Sequence, residues 1–313
     1  MRAYYKLEQA AEYDRITCTK LPWPSPAARG TTTSGILQTA DGQEYLLDYA
    51  KSTGEIAVNA LSEKAPKAKA KLRIGAGFDH IQGFTIGNRP YLMAYSPATK
   101  SPGTKGPVGF TFIALDGRLR PETTLPFVRT HPPARTDGFS EVAVLLSPLN
   151  TPFLFGYSIT TARVSTYTLT ATSSGKPPLL PVYAWDHVWA EGWTRFAHFR
   201  LGNEPFFLKT NIKTPNVNID HFWDDLTRDS VEVATLLQGQ LPNWNKLTIC
   251  QSFYLADALP YFVGYDAGSG AATFYRFWSN CQGWTPVLST TLPRGAKQIL
   301  CVSIAKASLL ILT

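Results

Sequence analysis

Pro260-Tyr261-Phe262-Val263-Gly264-Tyr265 decides the fold, because similar stretches recur along the whole chain. The others are Glu44-Tyr45-Leu46-Leu47-Asp48-Tyr49, Pro90-Tyr91-Leu92-Met93-Ala94-Tyr95 and Pro152-Phe153-Leu154-Phe155-Gly156-Tyr157. Pro205-Phe206-Phe207-Leu208-Lys209-Thr210 and Ser308-Leu309-Leu310-Ile311-Leu312-Thr313 complete the set. Their second positions, 45, 91, 153, 206, 261 and 309, are 46, 62, 53, 55 and 48 residues apart. Short apolar runs rich in aromatic residues and bounded by turn residues read as buried strands. An apolar segment precedes each copy, at 35–39, 80–86, 141–146, 195–201, 249–255 and 298–304. A turn such as Gly202-Asn203-Glu204 joins the two, and a third and a fourth strand follow, as at 271–276 and 284–288.

Four strands repeating about every 50 residues are the signature of propeller blades. The fold class expected is therefore all-β, a six-bladed β-propeller filling residues 1–313 as a single domain. The sixth copy ends at Thr313 and lacks its two outer strands. The segments 3–7 and 15–19 precede the first blade and are free to supply them, which closes the ring and removes an exposed edge. A β-sandwich with recurring strands is the competing reading.

Composition sets the limits. With 44% apolar and 12% aromatic residues in 313, the chain can bury a large core, and 23 Gly with 23 Pro suit many short strands. No apolar run is long enough to span a membrane. The first residues, Met1-Arg2-Ala3-Tyr4-Tyr5-Lys6, contain no apolar signal-peptide core, and no Asn-x-Ser/Thr acceptor occurs. The expectation is a cytoplasmic protein if this N-terminus is native, and a secreted one if a leader has been trimmed. The four cysteines have no metal-ligand spacing and read as buried free thiols. A basic run lies between Lys64 and Arg73, within a net charge of +7. It has no interleaved aromatics, so it reads as a solvated loop entering a strand and not as a nucleic-acid site.

In a propeller, the loops leading into each innermost strand gather on one face. Here they are 20–34, 75–79, 129–139, 185–194, 238–246 and 290–297, and they hold five of the eight tryptophans. The densest mixture of aromatic and titratable groups lies between Trp185 and Arg195. His187, favoured in its protonated form by Asp186, is the candidate general acid or base, and Arg195 the group that polarises a carbonyl. Trp189, Trp193 and Trp244, with His80, His131 and Asp137, are the candidate substrate-binding residues. Tryptophans wedged between blades, and aspartates capping turns, are the plainer explanations. His198 and His221 read as structural, and the Asp224-Asp225 pair as a solvated turn. No metal site and no cofactor is called for: there is no phosphate loop, nucleotide fingerprint, nucleophile elbow or HExxH.

The run Glu191-Gly192-Trp193-Thr194-Arg195-Phe196 resembles the propeller repeats of toxin-associated lectins. In size and blade divergence the chain is similar to small propellers of fungal secondary metabolism. These include hetero-Diels–Alderases that join a tropolone-derived quinone methide to a humulene-type sesquiterpene. No catalytic motif matches residue by residue, so none is carried over. The resemblance implies a cofactor-free enzyme with an apolar small-molecule substrate in one axial pocket, performing a cyclisation or cycloaddition. A carbohydrate-binding lectin and a protein-interaction scaffold are the alternatives; no preference for an oligomeric state follows. The residues before the innermost strands (Asp79-His80, Gly138-Phe139, Trp193-Thr194, Asn245-Lys246, Ala296-Lys297) share no polar signature. Multivalent lectins need the same pocket several times.

Overall fold

The computed structural model describes residues 2–10, 15–24, 30–97, 109–127, 138–171, 179–214, 216–222, 230–237, 244–304 and 307–313. The chain opens with β1 (Ala3–Gln9) and β2 (Ile16–Lys20). Blade one is β3 (Thr33–Gln38), β4 (Glu44–Ala50), β5 (Glu55–Ala60) and β6 (Lys67–Arg73). Blade two is β7 (His80–Ile86), β8 (Arg89–Ser96), β9 (Gly109–Leu115) and β10 (Pro121–Phe127). Blade three is β11 (Glu141–Leu146), β12 (Pro152–Tyr157), β13 (Arg163–Ala171) and β14 (Leu179–Val188). Blade four is β15 (Trp193–Leu201), β16 (Glu204–Asn211), β17 (Asn216–His221) and β18 (Val231–Leu237). Blade five is β19 (Ile249–Tyr254), β20 (Pro260–Tyr265), β21 (Ala271–Phe277) and β22 (Trp284–Thr291). The chain ends with β23 (Ile299–Ile304) and β24 (Ala307–Leu312).

These strands form six four-stranded antiparallel sheets, the blades of a six-bladed β-propeller, as the repeat predicts. The last sheet has the order β2-β1-β24-β23 and is closed by the N-terminal strands, with Tyr4 opposite Ile311 and Leu7 opposite Ser308. The chain divides into two compact units of three blades each. One comprises Met1–Ser25, Ser147–Leu149 and Trp189–Thr313; the other comprises Pro26–Leu146 and Asn150–Val188.

The recurring motif has a physical basis at each of its positions. Its aromatic and apolar residues are mostly buried; Phe153, Leu154, Phe155, Phe262 and Val263 are all inaccessible. In three copies the final tyrosine ties down the loop that enters the next blade. Tyr49 Oη donates to the Gly75 carbonyl (2.8 Å) and accepts from the Phe78 N–H (3.1 Å). Tyr95 does the same with both backbone groups of Phe139, and Tyr265 with the Pro293 carbonyl and the Ala296 N–H. Loop backbone groups that would otherwise be buried without partners are thereby satisfied. The fifth position is small where the incoming loop packs on the strand. A Cβ on Gly156 would lie 2.7 Å from the Phe139 ring, and one on Gly264 would lie 3.2 Å from Leu247.

Two features depart from the sequence reading. Residues 67–73, expected as part of a solvated loop, are the outer strand β6: Leu72 is buried on the core face while the charged residues are exposed. Each outer strand of blades one to five also carries one extra residue, a β-bulge, at Lys69, Glu122, Ala184, Val233 or Val287. Bulges twist an edge away from strand pairing.

Candidate functional site

Strand register in blade four places Phe196, His198, Phe207, Lys209, Asn218 and Asp220 on one face, since Lys209 sits between Phe196 and Asn218, and Phe207 between His198 and Asp220. The opposite face carries Ala197, Phe199, Leu208, Val217 and Ile219, which pack with Phe262 and Phe277 of blade five. On the first face Lys209 is 5% exposed and Asp220 is 3% exposed, and their side chains form an ion pair of 2.7 Å. Trp189 and Trp193 flank the same ammonium, with ring centroids at 4.1 and 4.5 Å, and the Phe207 ring lies at 5.5 Å. Cation–π attraction of this kind is strongest where water is excluded.

The acidic partner is held just as closely. Asp220 Oδ2 also accepts from Ser230 Oγ at 2.9 Å. Burial raises the Asp220 pKa above the ordinary carboxylate value, against the opposing pull of Lys209 and Ser230. Asn218 donates its Nδ2 to Glu232, which fixes the amide orientation, so that Asn218 Oδ1 is a buried acceptor. Asp220 Oδ1 and Asn218 Oδ1 receive no hydrogen bond among the described residues. The cluster thus combines indole faces, one cation, one carboxyl with a raised pKa and two acceptors awaiting donors.

The loop at residues 189–192 lies over this face. Asn211 Nδ2 donates to the Glu191 carbonyl (2.8 Å), and the Ile212 N–H to the Gly192 carbonyl (2.9 Å). Asn211 follows the position where most other blades carry the latch tyrosine, and it ties down the incoming loop of its own blade.

Of the residues selected from sequence, Trp189 and Trp193 come together in blade four, Arg195 lies on the other face of that blade, and Asp186 and His187 belong to the other unit. Trp185, Asp186 and His187 lie in the outer strand β14, not in a loop. Consecutive residues of a strand project to opposite faces, so Asp186 is turned away from the His187 imidazole. Its carboxylate is engaged by Arg163 and by the Tyr183 hydroxyl, while His187 stacks on Trp185 at 5.8 Å. Arg195 pairs with Thr210, on the face opposite Lys209; its Nη1 donates to the Thr194 carbonyl at 2.9 Å. It lowers, in part, the pKa of the buried Cys250 thiol, which desolvation pushes up to about 12. Trp189 and Trp193 do converge, on a lysine and an aspartate that the sequence reading passed over. The signal was present: the fifth position of the motif is Ala94, Gly156 or Gly264 in blades two, three and five, but charged in blades one and four, as Asp48 and Lys209.

His80 opens β7 in the other unit. Burial lowers its pKa, and the neighbouring Glu141 and Asp79 carboxylates oppose that shift. Asp79 is ion-paired with Lys51 and accepts from Ser96 Oγ at 3.1 Å. Trp244 begins a short 3-10 turn, Trp244–Lys246. His131, Asp137 and the Asp224-Asp225 pair lie outside the described residues. His221 is bound to Glu204 at 2.8 Å, and all four cysteines are free thiols.

No family model and no curated protein sequence matches the chain. Solved structures do. A protein from Bacteroides fragilis, provisionally assigned as a 6-phosphogluconolactonase, has a TM-score of 0.56 at 11% identity, over 97% of this chain and 88% of its own. A similarly assigned protein from Bacteroides uniformis gives 0.54 at 12% identity, over 96% and 85%. A Lactobacillus plantarum protein gives 0.51 at 12% identity, over 99% and 92%. At these identities the likeness is one of fold, and the chemistry rests on the residues of this chain.

Proposed function

We propose that this protein binds one small molecule with an apolar, flat face per chain, at the incoming loop of blade four, and converts it without a cofactor. The observation that carries the reading is the convergence of Trp189 and Trp193 on the buried Lys209–Asp220 pair. Indole faces hold an unsaturated ring system, and the lysine and aspartate meet its polar atoms. Asp220, with its pKa raised by burial, is suited to give or take a proton. Trp189 is the half-buried member of the cluster, so the ligand approaches from its side.

The finer reading is a cyclisation or an intermolecular hetero-Diels–Alder reaction. Such chemistry draws much of its acceleration from holding the reactants in near-attack geometry, and it requires no metal or redox group. The lectin alternative calls for equivalent sites on successive blades. The fifth motif position gives no such set: it is polar only as Asp48 and Lys209, of opposite charge, while Ala94, Gly156, Gly264 and Leu312 carry no polar group.

Quenching of tryptophan fluorescence by hydroxylated polycyclic probes tests the reading. Trp189→Ala and Asp220→Asn should each weaken binding by about tenfold or more, as loss of a buried contact of this kind does. Unchanged affinity in both folded variants refutes a blade-four site. Tight binding to several sugars with no response to polycyclic probes supports the lectin.

A further inference from the structure

We propose that the outer edge of β6 is a docking strip for an acidic peptide in extended conformation. Residues 64–73 contain Lys64, Lys67, Lys69, Lys71 and Arg73 and no carboxylate, and they account for most of the net charge of +7. All five side chains are exposed, and none forms an ion pair or side-chain hydrogen bond among the described residues. Glu55 stands in register with Arg73 but is exposed and makes no ion pair with it.

One charged residue or proline is enough to discourage accidental pairing at a sheet edge. Other outer strands use such means: Lys20 in β2, Pro121 and Pro126 in β10, Pro286 in β22. Four cations within the seven residues of β6 exceed that need and repel one another. The surplus is explained by an anionic partner.

The partner's form follows from the strand. β6 is terminal in the order β3-β4-β5-β6, so among the described residues no strand pairs with its outward edge, which is open to strand addition. The bulge at Lys69 ends before Ala70, and Ala70–Arg73 pairs regularly with Glu55–Val58. Lys71 and Arg73 share a face about 7 Å apart, the spacing of alternate side chains in an extended peptide. No aromatic side chain lies between residues 62 and 74 to stack on bases, which sets this strip apart from a single-strand nucleic-acid site.

The test is fluorescence anisotropy with a labelled peptide of alternating Glu and Thr, against the full chain. Binding should weaken with added salt. It should fall by about tenfold or more in the Lys67→Gln/Lys69→Gln/Lys71→Gln/Arg73→Gln variant, where several exposed pairs are lost together. The substituted side chains are exposed, so circular dichroism should be unchanged. The same peptide N-methylated at every residue should bind more weakly, because it has no N–H with which to pair the edge. Equal binding of the methylated peptide, unchanged affinity of the variant, or tighter binding of an oligothymidylate of equal charge would overturn the proposal.

Discussion

Lys209 and Asp220 form a pair in which each charge depends on the other. Removing one partner of a buried ion pair leaves the other uncompensated and costs about 3–5 kcal/mol, whereas replacing both with apolar groups is often close to neutral. Lys209→Met should therefore lower unfolding stability by about that amount, and Lys209→Met/Asp220→Leu should recover most of it, as read from denaturant midpoints. A double variant as unstable as the single one would show that the pair contributes more than mutual neutralisation. Glu44 makes a pH-dependent contribution of its own. It is buried, with its carboxylate accepting from Gln38 at 2.7 Å, and desolvation pushes its pKa up from 4.5 to about 7. The fold favours the protonated form. Its stabilisation is fully present below about pH 4.5 and is lost as the pH rises through 7, amounting to up to about 3 kcal/mol. Glu44→Gln should remove this dependence and be more stable than the parent at pH 8 by about 2 kcal/mol. Parallel stability–pH curves for the two proteins would rule it out.

At the level of elements, the terminal tyrosine of three motif copies, Tyr49, Tyr95 and Tyr265, connects repeat to structure. Tyr95→Phe keeps the ring but leaves the Phe139 N–H and carbonyl without their partner. The expected loss is about 1–3 kcal/mol in thermal or denaturant unfolding, and a loss below the error of measurement would show that water replaces the hydroxyl. The motif strands were legible because their burial on both faces leaves an almost continuous apolar run, as in Pro152–Tyr157. The outer strands were not. β6 alternates Ala with Lys, and β14 carries Asp186 and His187, so both show the polarity of loops while lying in sheets. The candidate site was half legible for the same reason. Tryptophans are conspicuous, and Trp189 and Trp193 were chosen; Asp186 and His187 were chosen for adjacency in sequence, which in a strand means separation. Lys209 and Asp220 are 11 residues apart and meet only through the β16–β17 register. The bulges are set by twist, which no residue type announces.

For the molecule as a whole, the final sheet relies on the chain's two ends. Deleting residues 1–19 removes β1 and all but the last residue of β2 and exposes the edge of β24 from Ser308 to Leu312. Insolubility or a large drop in melting temperature is expected, and a truncated protein that melts with the intact one would contradict closure by the termini. The central claim concerns number as well as place. The Trp189–Trp193–Lys209–Asp220 cluster comes from blade four alone, whereas avidity in a lectin comes from repeating one pocket around the ring. Isothermal titration of the full chain with a hydroxylated polycyclic ligand counts the sites directly. The account predicts a stoichiometry near one per chain that is abolished by Trp189→Ala; several equivalent sites, or one site indifferent to that substitution, would contradict it.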